Sequence, residues 1–312
     1  MDLSVIIPAY NEEDNIKLMY SELYNALSPL GVDYEIIFIN DGSTDATEDR
    51  LEELRPKKDV KVFHLNKNCG QTAAIMAGID CAQGDVLIFI DSDLQNDPKD
   101  IPALLEKLAE GYDVCSGWRK DRKDDFATRT LPSKIANSLI SKISGLHLHD
   151  YGCTLKAYRR EVLEQVRLYG EMHRFIPIYA AMNGASVTEI PVNHRERQFG
   201  ESKYGLNRIF KVILDLIVIK FLLKFSQKPI YLFGGCGVVF IVFSFLFFLY
   251  MLYLKFFEAT SFISTPMPTL AAFSFMTGVI AILMGLVAEI LNRTYFESQG
   301  KVTYQIRKEK KV

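Results

Sequence analysis

Asp91 and Asp93 stand at alternate positions, with Gln95 two residues further on, at the end of the apolar run DVLIFID. Two carboxylates spaced in this way can hold a hard divalent cation such as Mg2+ or Mn2+, leaving phosphate oxygens to complete its shell. The same aspartates would also serve as caps and turn formers after a strand. Asp41, in Asp41-Gly42-Ser43-Thr44-Asp45, offers a comparable choice. It can accept a hydrogen bond from a base or ribose, while Ser43 or Asp45 caps the helix that follows. Cations fall into two sets. Arg195, Arg197 and Lys203 lie in RERQFGESK, where Gly200 and Ser202 allow tight backbone approach, a composition suited to clamping a diphosphate or a phosphate monoester. Arg119, Lys120, Arg122, Lys123, Arg129 and Lys134 form the second set, followed by a modestly amphipathic segment from Ile135 to Ile143. Basic residues beside such a segment suit an anionic membrane surface, and they suit plain solvation as well. His147, His149, His173 and His194 have no metal-ligand spacing and read as structural or peripheral.

Residues this far apart need a scaffold that brings their loops together. LSVIIP (3–8), YEIIFIN (34–40), VKVFHL (60–65) and DVLIFID (85–91) are compact runs rich in Val, Ile and Phe, with polar, helix-compatible segments between them. That rhythm predicts βα units building a parallel sheet, and the near-continuous apolar strands predict that both its faces are covered. Ligands of such sheets gather at the carboxyl ends of the strands. Tyr10-Asn11-Glu12, Asp41-Gly42-Ser43, Asn66-Lys67-Asn68 and Asp91-Ser92-Asp93 occupy those ends, so four loops are expected to converge on one edge.

The soluble pattern stops near residue 204. From Gly205 to Phe225, Leu206, Ile209, Phe210, Ile213, Leu214 and Ile217 outweigh a narrow stripe of Arg208, Lys211, Asp215 and Lys224. This predicts an amphipathic helix over 205–228 lying in a membrane interface, or else a buried helix of the soluble domain. Residues 230–254 and 267–288 carry no charge, and each run is long enough to cross a bilayer core. They predict a transmembrane hairpin over 229–291, with spans near 230–254 and 267–290 joined by Lys255 to Pro266. Basic residues crowd outside it, at Lys211, Lys220, Lys224 and Lys228 before and in the 292–312 tail after, which puts the N-terminal domain and the tail in the cytoplasm. MDLSVIIPAYNEE has neither a basic n-region nor a long apolar core and does not read as a signal peptide. A net charge of -2 argues against a nucleic-acid binder. The five cysteines are widely spaced, without a CxxC or a dense framework, and read as reduced, mostly buried thiols.

Taken in order, VIIPAYNEEDNI, INDGSTDAT, NKNCGQTAAIMAGI, DSDLQNDP, DYGCTLKAYRREVL, HRFIPI and RERQFGESKYGLNRI resemble the family 2 glycosyltransferases of the GT-A fold. Within that family they resemble the subgroup acting on polyprenyl phosphates, which includes dolichyl-phosphate mannose synthases and undecaprenyl-phosphate glucosyl- and aminoarabinose transferases. The resemblance runs nearly end to end, paired membrane helices included. It departs from processive polysaccharide synthases in lacking QxxRW, since Trp118 is the only tryptophan. What it implies is an α/β GT-A domain over 1–204, with a Rossmann-like, mostly parallel sheet, ahead of the interfacial helix and the hairpin. The implied activity is an inverting transfer from a nucleotide sugar, UDP-linked or alternatively GDP-linked, to undecaprenyl or dolichyl phosphate. That transfer would use Mg2+ or Mn2+ at a cell membrane, in a homo-oligomer such as a tetramer. Pro8, Tyr10, Glu12, Asp41, Asn68, Gly70, Asp91, Ser92 and Ser202 are implied to hold the nucleotide sugar, and Asp91, Asp93 and Gln95 the metal. Arg119, Arg122 and Arg129 are implied to hold the acceptor phosphate, and Asp93, Asp150, Arg195, Arg197 and Lys203 to carry the chemistry. Asp150 would lie on the acceptor side, orienting or deprotonating a phosphate. Another lipid acceptor such as a diacylglycerol, and a catalytically silent membrane scaffold, are the alternatives. A short-chain polyprenyl phosphate tested as acceptor discriminates among them.

Overall fold

The computed structural model describes residues 1–120, 131–163, 172–196, 220, 221, 225 and 228–298. The chain divides into two compact units, Met1–Leu216 and Ile217–Val312. In the first, β1 (Leu3–Ala9), α1 (Ile16–Leu27), β2 (Tyr34–Asn40), α2 (Thr47–Leu54), β3 (Val60–His64), α3 (Gln71–Cys81) and β4 (Val86–Phe89) follow the predicted alternation. There follow α4 (Ile101–Ala109), β5 (Val114–Trp118), α5 (Leu131–Ser144), β6 (Lys156–Arg159), α6 (Arg160–Leu163), α7 (Ile176–Met182) and β7 (Val187–Pro191). The sheet order among the described residues is β3-β2-β1-β4-β6-β5-β7.

The four apolar runs form the parallel half of this sheet, and β1 is buried at every position. Side chains on its two faces enter two separate cores, Val5 and Ile7 in one and Ile6 in the other, as a sheet covered on both sides requires. Gly78 lets α3 lie tight on β1, because a Cβ there would sit 2.3 Å from Ile6 Cγ2. A mid-helix glycine costs about 1 kcal/mol relative to alanine, which the close packing offsets. β6 departs from the parallel pattern. It runs antiparallel to both β4 and β5, so its amino end, Lys156, faces the same edge as the carboxyl ends of those strands. Asp150 to Thr154, just ahead of β6, are thereby delivered to that edge.

The second unit is a hairpin of α8 (Ile230–Phe257) and α9 (Met267–Ser298). Ile230–Phe257 and Met267–Leu291 are long and apolar enough to cross a membrane. Both helices outrun the uncharged stretches, because helix propagation does not stop at the first charged side chain. They pack through small residues in opposite order along the two chains. A Cβ on Gly237 would lie 2.6 Å from Gly278 O, one on Gly278 would lie 2.7 Å from Gly237 O, and one on Gly285 would lie 2.8 Å from Ile230 Cδ1. Ser244 Oγ donates to Ala271 O at 2.7 Å. Contacts at 230, 237 and 244 against 285, 278 and 271 step by seven residues, the repeat of a left-handed helix pair. The predicted interfacial helix over 205–228 lies almost wholly outside the described residues. The cysteines are all free, but only Cys115 and Cys153 are buried, while Cys69 and Cys236 are exposed. The expectation of mostly buried thiols is corrected on that point: Cys69 sits in a loop and Cys236 on the outer face of α8.

Candidate active site

The loops at the carboxyl ends of β1, β2, β3 and β4 are stitched to one another by hydrogen bonds. Asn11 N donates to Ser43 Oγ at 3.0 Å, Glu12 N to Thr47 Oγ1 at 2.8 Å and Thr44 N to Asn11 Oδ1 at 2.8 Å. Asn11 adopts φ 53°, a left-handed conformation that asparagine tolerates better than most residues. Buried Asp41 reaches from β2 to the next loop, accepting from Cys69 N at 2.7 Å and Gly70 N at 2.9 Å. Gly42, at φ 65°, passes so near that loop that a Cβ would lie 2.5 Å from the Lys67 carbonyl carbon. Asp41, expected to meet a base or ribose, thus engages both oxygens in tying two loops together. Asp45 accepts from Thr47 N at 3.0 Å, supporting the start of α2 as its turn composition suggested. Pro8 is buried opposite Ile39, beyond the end of the β4 ladder at Ile6, where a missing N–H breaks no pairing with β4. Tyr10 and Glu12 are half-buried at the edge, and Asn68 is exposed beside Gly70.

The end of β4 delivers the carboxylate pair. Gln71 Nε2 donates to Asp91 Oδ1 at 2.7 Å and Thr154 Oγ1 to Asp91 Oδ2 at 2.6 Å. The register Phe89↔Lys156, continued by two residues, sets Asp91 opposite Thr154 on one face of the sheet. Burial first, and the Asp93 charge second, push the Asp91 carboxyl up to about 6. Two carboxylates competing for one site is a pressure that a divalent cation would relieve. Asp93 accepts from Gln95 N at 3.2 Å, and between them buried Leu94 is held at φ 61°. A non-glycine residue pays roughly 1–2 kcal/mol for that conformation, and such strain gathers at working sites. Among the described residues no group of three or more His, Cys, Asp and Glu could hold a metal. A cation would therefore rest on Asp91 and Asp93, with Gln95 beside them and buried Ser92 between, and phosphate oxygens or water completing its shell.

Beyond β5, Arg119 Nε donates to Asp150 Oδ2 at 2.6 Å and Nη2 to Oδ1 at 3.0 Å. Gly152 N adds a bond to Oδ1 at 3.0 Å, and the two side chains are only 14% and 4% exposed. A carboxylate gripped by a guanidinium fork and an amide favours its ionised form. This geometry suits an orienting role for Asp150 better than proton abstraction. Arg195, expected at a phosphate, directs Nη1 to both oxygens of Glu22 on α1, at 2.9 and 2.8 Å, and Nη2 to Asp97 Oδ1 at 2.6 Å. Arg122, Arg129, Arg197, Ser202 and Lys203 lie outside the described residues. Lys156, 3% exposed, donates to Tyr151 O at 3.0 Å, and burial pushes its ammonium down to about 8. His173 pairs with Thr72 Oγ1 at 2.8 Å and His149 stacks on Trp118 with ring centroids 4.2 Å apart, both structural contacts. Gln71, Thr154 and Lys156 went unnoticed in the sequence. For Thr154 the only signal was its parity with Asp91, legible once the β4–β6 pairing is known.

Residues 4–167 match the glycosyl transferase family 2. The chain belongs to that family. It is 38% identical over 312 residues to the dodecaprenyl-phosphate galacturonate synthase of Rhizobium johnstonii, a match covering 98% of this chain and 92% of that one. It is 35% identical over 307 residues to the undecaprenyl-phosphate 4-deoxy-4-formamido-L-arabinose transferase of Aeromonas hydrophila, covering 97% and 92%. Glucosyl-3-phosphoglycerate synthase of Mycobacterium tuberculosis, solved with Mg2+ and uridine diphosphate, superposes with a TM-score of 0.54 at 20% identity. That superposition spans 70% of this chain and 79% of the other, and it shows the common GT-A fold. In this family 2 glycosyltransferase the stitched loops and the carboxylate pair lie at the carboxyl-end edge of a GT-A sheet, where ligands of parallel sheets gather in general.

Proposed function

We propose that the protein transfers a sugar from a nucleoside diphosphate to the phosphate of a polyprenyl phosphate at the cytoplasmic face of a membrane. The observation that carries this reading is the extent of the match. Similarity to two polyprenyl-phosphate sugar transferases covers 98% and 97% of the chain, so it includes the apolar hairpin as well as the GT-A domain. The site is consistent with it. Asp91, fixed by Gln71 and Thr154, and Asp93 would hold Mg2+ or Mn2+ with Gln95 nearby, and such an ion would supply counter-charge to the departing diphosphate. Asp41 and the loops it joins would cradle the nucleotide, uracil being the base that the family resemblance favours. Arg119, oriented by Asp150, would meet the acceptor phosphate, and the family resemblance adds Arg122 and Arg129 to the acceptor and Arg197, Ser202 and Lys203 to the binding of a phosphate.

A phosphate monoester has a second pKa near 6, so the acceptor is largely dianionic at neutral pH and nucleophilic without a strong base. One of its oxygens forms the new bond to the anomeric carbon as the bond from that carbon to the donor phosphate breaks. The nucleoside diphosphate leaves, and a single displacement of this kind inverts the anomeric centre. The basic residues flanking the hairpin support a cytoplasmic GT-A domain and tail. The test is incubation of the purified protein with short-chain polyprenyl phosphate and a panel of nucleotide sugars, with Mg2+, Mn2+ or a chelator. UDP-linked galacturonate and 4-deoxy-4-formamido-L-arabinose lead that panel. A polyprenyl-phosphate sugar formed only with metal present is the expected product. Full activity in chelator removes the metal from the account, and no transfer from any donor refutes the reading.

A further inference from the structure

The loop from Asp150 to Leu155 delivers a side chain to each half of the candidate site. At its start Asp150 grips Arg119, and near its end Thr154 donates to Asp91. The two halves adjoin: burial pushes the Asp91 carboxyl up, and the nearby Arg119 charge opposes this. Packing fixes one face of the loop. Cys153 and Leu155 are buried in the core that Val5 and Ile7 enter, and a Cβ on Gly117 of β5 would lie 2.8 Å from Leu155 O and 3.0 Å from Cys153 Sγ. Lys156 holds the other face. It opens β6 opposite Phe89 on β4 and Ser116 on β5, and by strand alternation it shares the face of Thr154. From there it reaches back to donate from Nζ to Tyr151 O at 3.0 Å. The bond is made at a cost to stability, because the ammonium is buried and forms no ion pair among the described residues. Burial disfavours its charged form, Arg119 and Arg174 add to this, and Cys153 and Asp150 offset only part of it. An apolar side chain of the same length would be more stable here, and residues that cost stability gather where position matters.

We infer that Lys156 is a positioning residue: its bond to the Tyr151 carbonyl holds the Asp150–Thr154 loop so that Arg119 and Asp91 are oriented together. The inference rests on the reading that Asp91 holds a metal and Arg119 meets the acceptor phosphate. Lys156 stands two residues further into the sheet than Thr154, the side chain that meets Asp91, and its ammonium donates to a carbonyl of its own loop. It therefore acts through that loop and not as a phosphate ligand. With Tyr151 O released, Asp150 and Thr154 could both shift although no group that touches metal or phosphate had been removed. The metal side and the acceptor side would then loosen together, which distinguishes this tie from a contact local to either.

The decisive variant is Lys156→Met in the full-length protein in detergent, which nearly keeps the side chain's length and removes its donor. Mn2+ affinity, measured without substrates, falls roughly tenfold, the usual effect of disturbing a residue behind a metal ligand. At saturating metal the acceptor KM rises or kcat falls by a factor of about ten, the loss of one hydrogen bond from a charged group. Hydrogen exchange quickens in peptides over 148–156 and not in those over 38–48, a readout that needs no substrate. The melting temperature near pH 7 rises, because a buried charge is gone, whereas a residue that merely supported the fold would lower it. The Thr154→Val/Lys156→Met double variant binds Mn2+ no more weakly than the poorer single. Lys156→Gln, one bond shorter and uncharged, gives the same affinity and exchange readings should the Met variant fail to fold. Unchanged Mn2+ affinity and transfer in a more stable protein would show that Lys156 is only a buried charge the fold tolerates, overturning the inference. Lost transfer with unchanged exchange over 148–156 would show that the charge acts directly, and additive Mn2+ losses would show that Thr154 is held independently. Either overturns it equally. A wild-type protein that binds no Mn2+ or glycosylates no polyprenyl phosphate refutes the proposed function instead, and the exchange comparison still decides whether Lys156 holds the loop.

Discussion

Replacing Asp150 with asparagine separates a base from a holder of Arg119. The change keeps the side-chain shape and one acceptor oxygen but removes the charge facing a guanidinium that is only 14% exposed. A hydrogen bond to a charged group contributes roughly 1.5–3 kcal/mol, and breaking a buried pair from one side costs about 3–5 kcal/mol. Because asparagine still accepts one bond, the lower range applies, and about 2 kcal/mol of lost orientation corresponds to a rate roughly 30-fold lower. The assay is transfer to short-chain polyprenyl phosphate at saturating donor, from pH 6 to pH 9. A holder predicts a defect of constant size across that range, because the acceptor phosphate ionises near pH 6 without help. Arg119→Lys should lose a similar factor, lysine being unable to reproduce the two-pronged contact, and the double variant should be no worse than the poorer single. A defect that shrinks steadily as the pH rises would identify Asp150 as a base, and fully additive losses would show that the two side chains act separately. Either result refutes the orienting role.

Thr154→Val removes a donor from Asp91 and should weaken Mn2+ affinity about 10- to 100-fold, the usual effect of losing a partner behind a metal ligand; an unchanged Mn2+ titration of activity would remove Thr154 from the site. Lys156 gives up its proton near pH 8 in the folded chain, against the ordinary value of 10.5 when unfolded. The unfolded state therefore binds more protons between those values, so stability climbs as pH rises through that window. The gap is worth about 3 kcal/mol, so Lys156→Met should raise Tm over wild type most below pH 8 and least near pH 10. An equal advantage at both ends would contradict the burial argument. Gly278→Val places methyl groups where even a Cβ would lie 2.7 Å from Gly237 O, so it should push α8 and α9 apart and lower the detergent melting temperature, whereas Leu283→Val on the exposed face should not. Equal melting temperatures for the two variants would show that the glycine contact does not set the packing.

The features that the sequence determined by itself are those whose cause is local. The runs at 3–9, 34–40, 60–64 and 86–89 became strands because contiguous β-branched and aromatic residues suit a sheet buried on both faces. Parallel connection through helices then sends all their carboxyl ends to one edge, which is why Asp41 and Asp91 could be placed together in advance. The hairpin was legible for a similar reason: an uncharged stretch of membrane length needs no partner to declare itself. Tertiary structure alone decided who holds whom. KAYR is too short and mixed to announce β6, yet its reversed direction is what brings Thr154 to Asp91 across 63 positions and Asp150 to Arg119 across 31. Arg195 carried the right charge for a phosphate, but Glu22, 173 positions away on α1, and Asp97 hold it in the fold. A side chain's type states that it needs a counter-charge or an acceptor. Which one it receives depends on long-range packing, because a charge excluded from water takes whichever partner the fold places within reach.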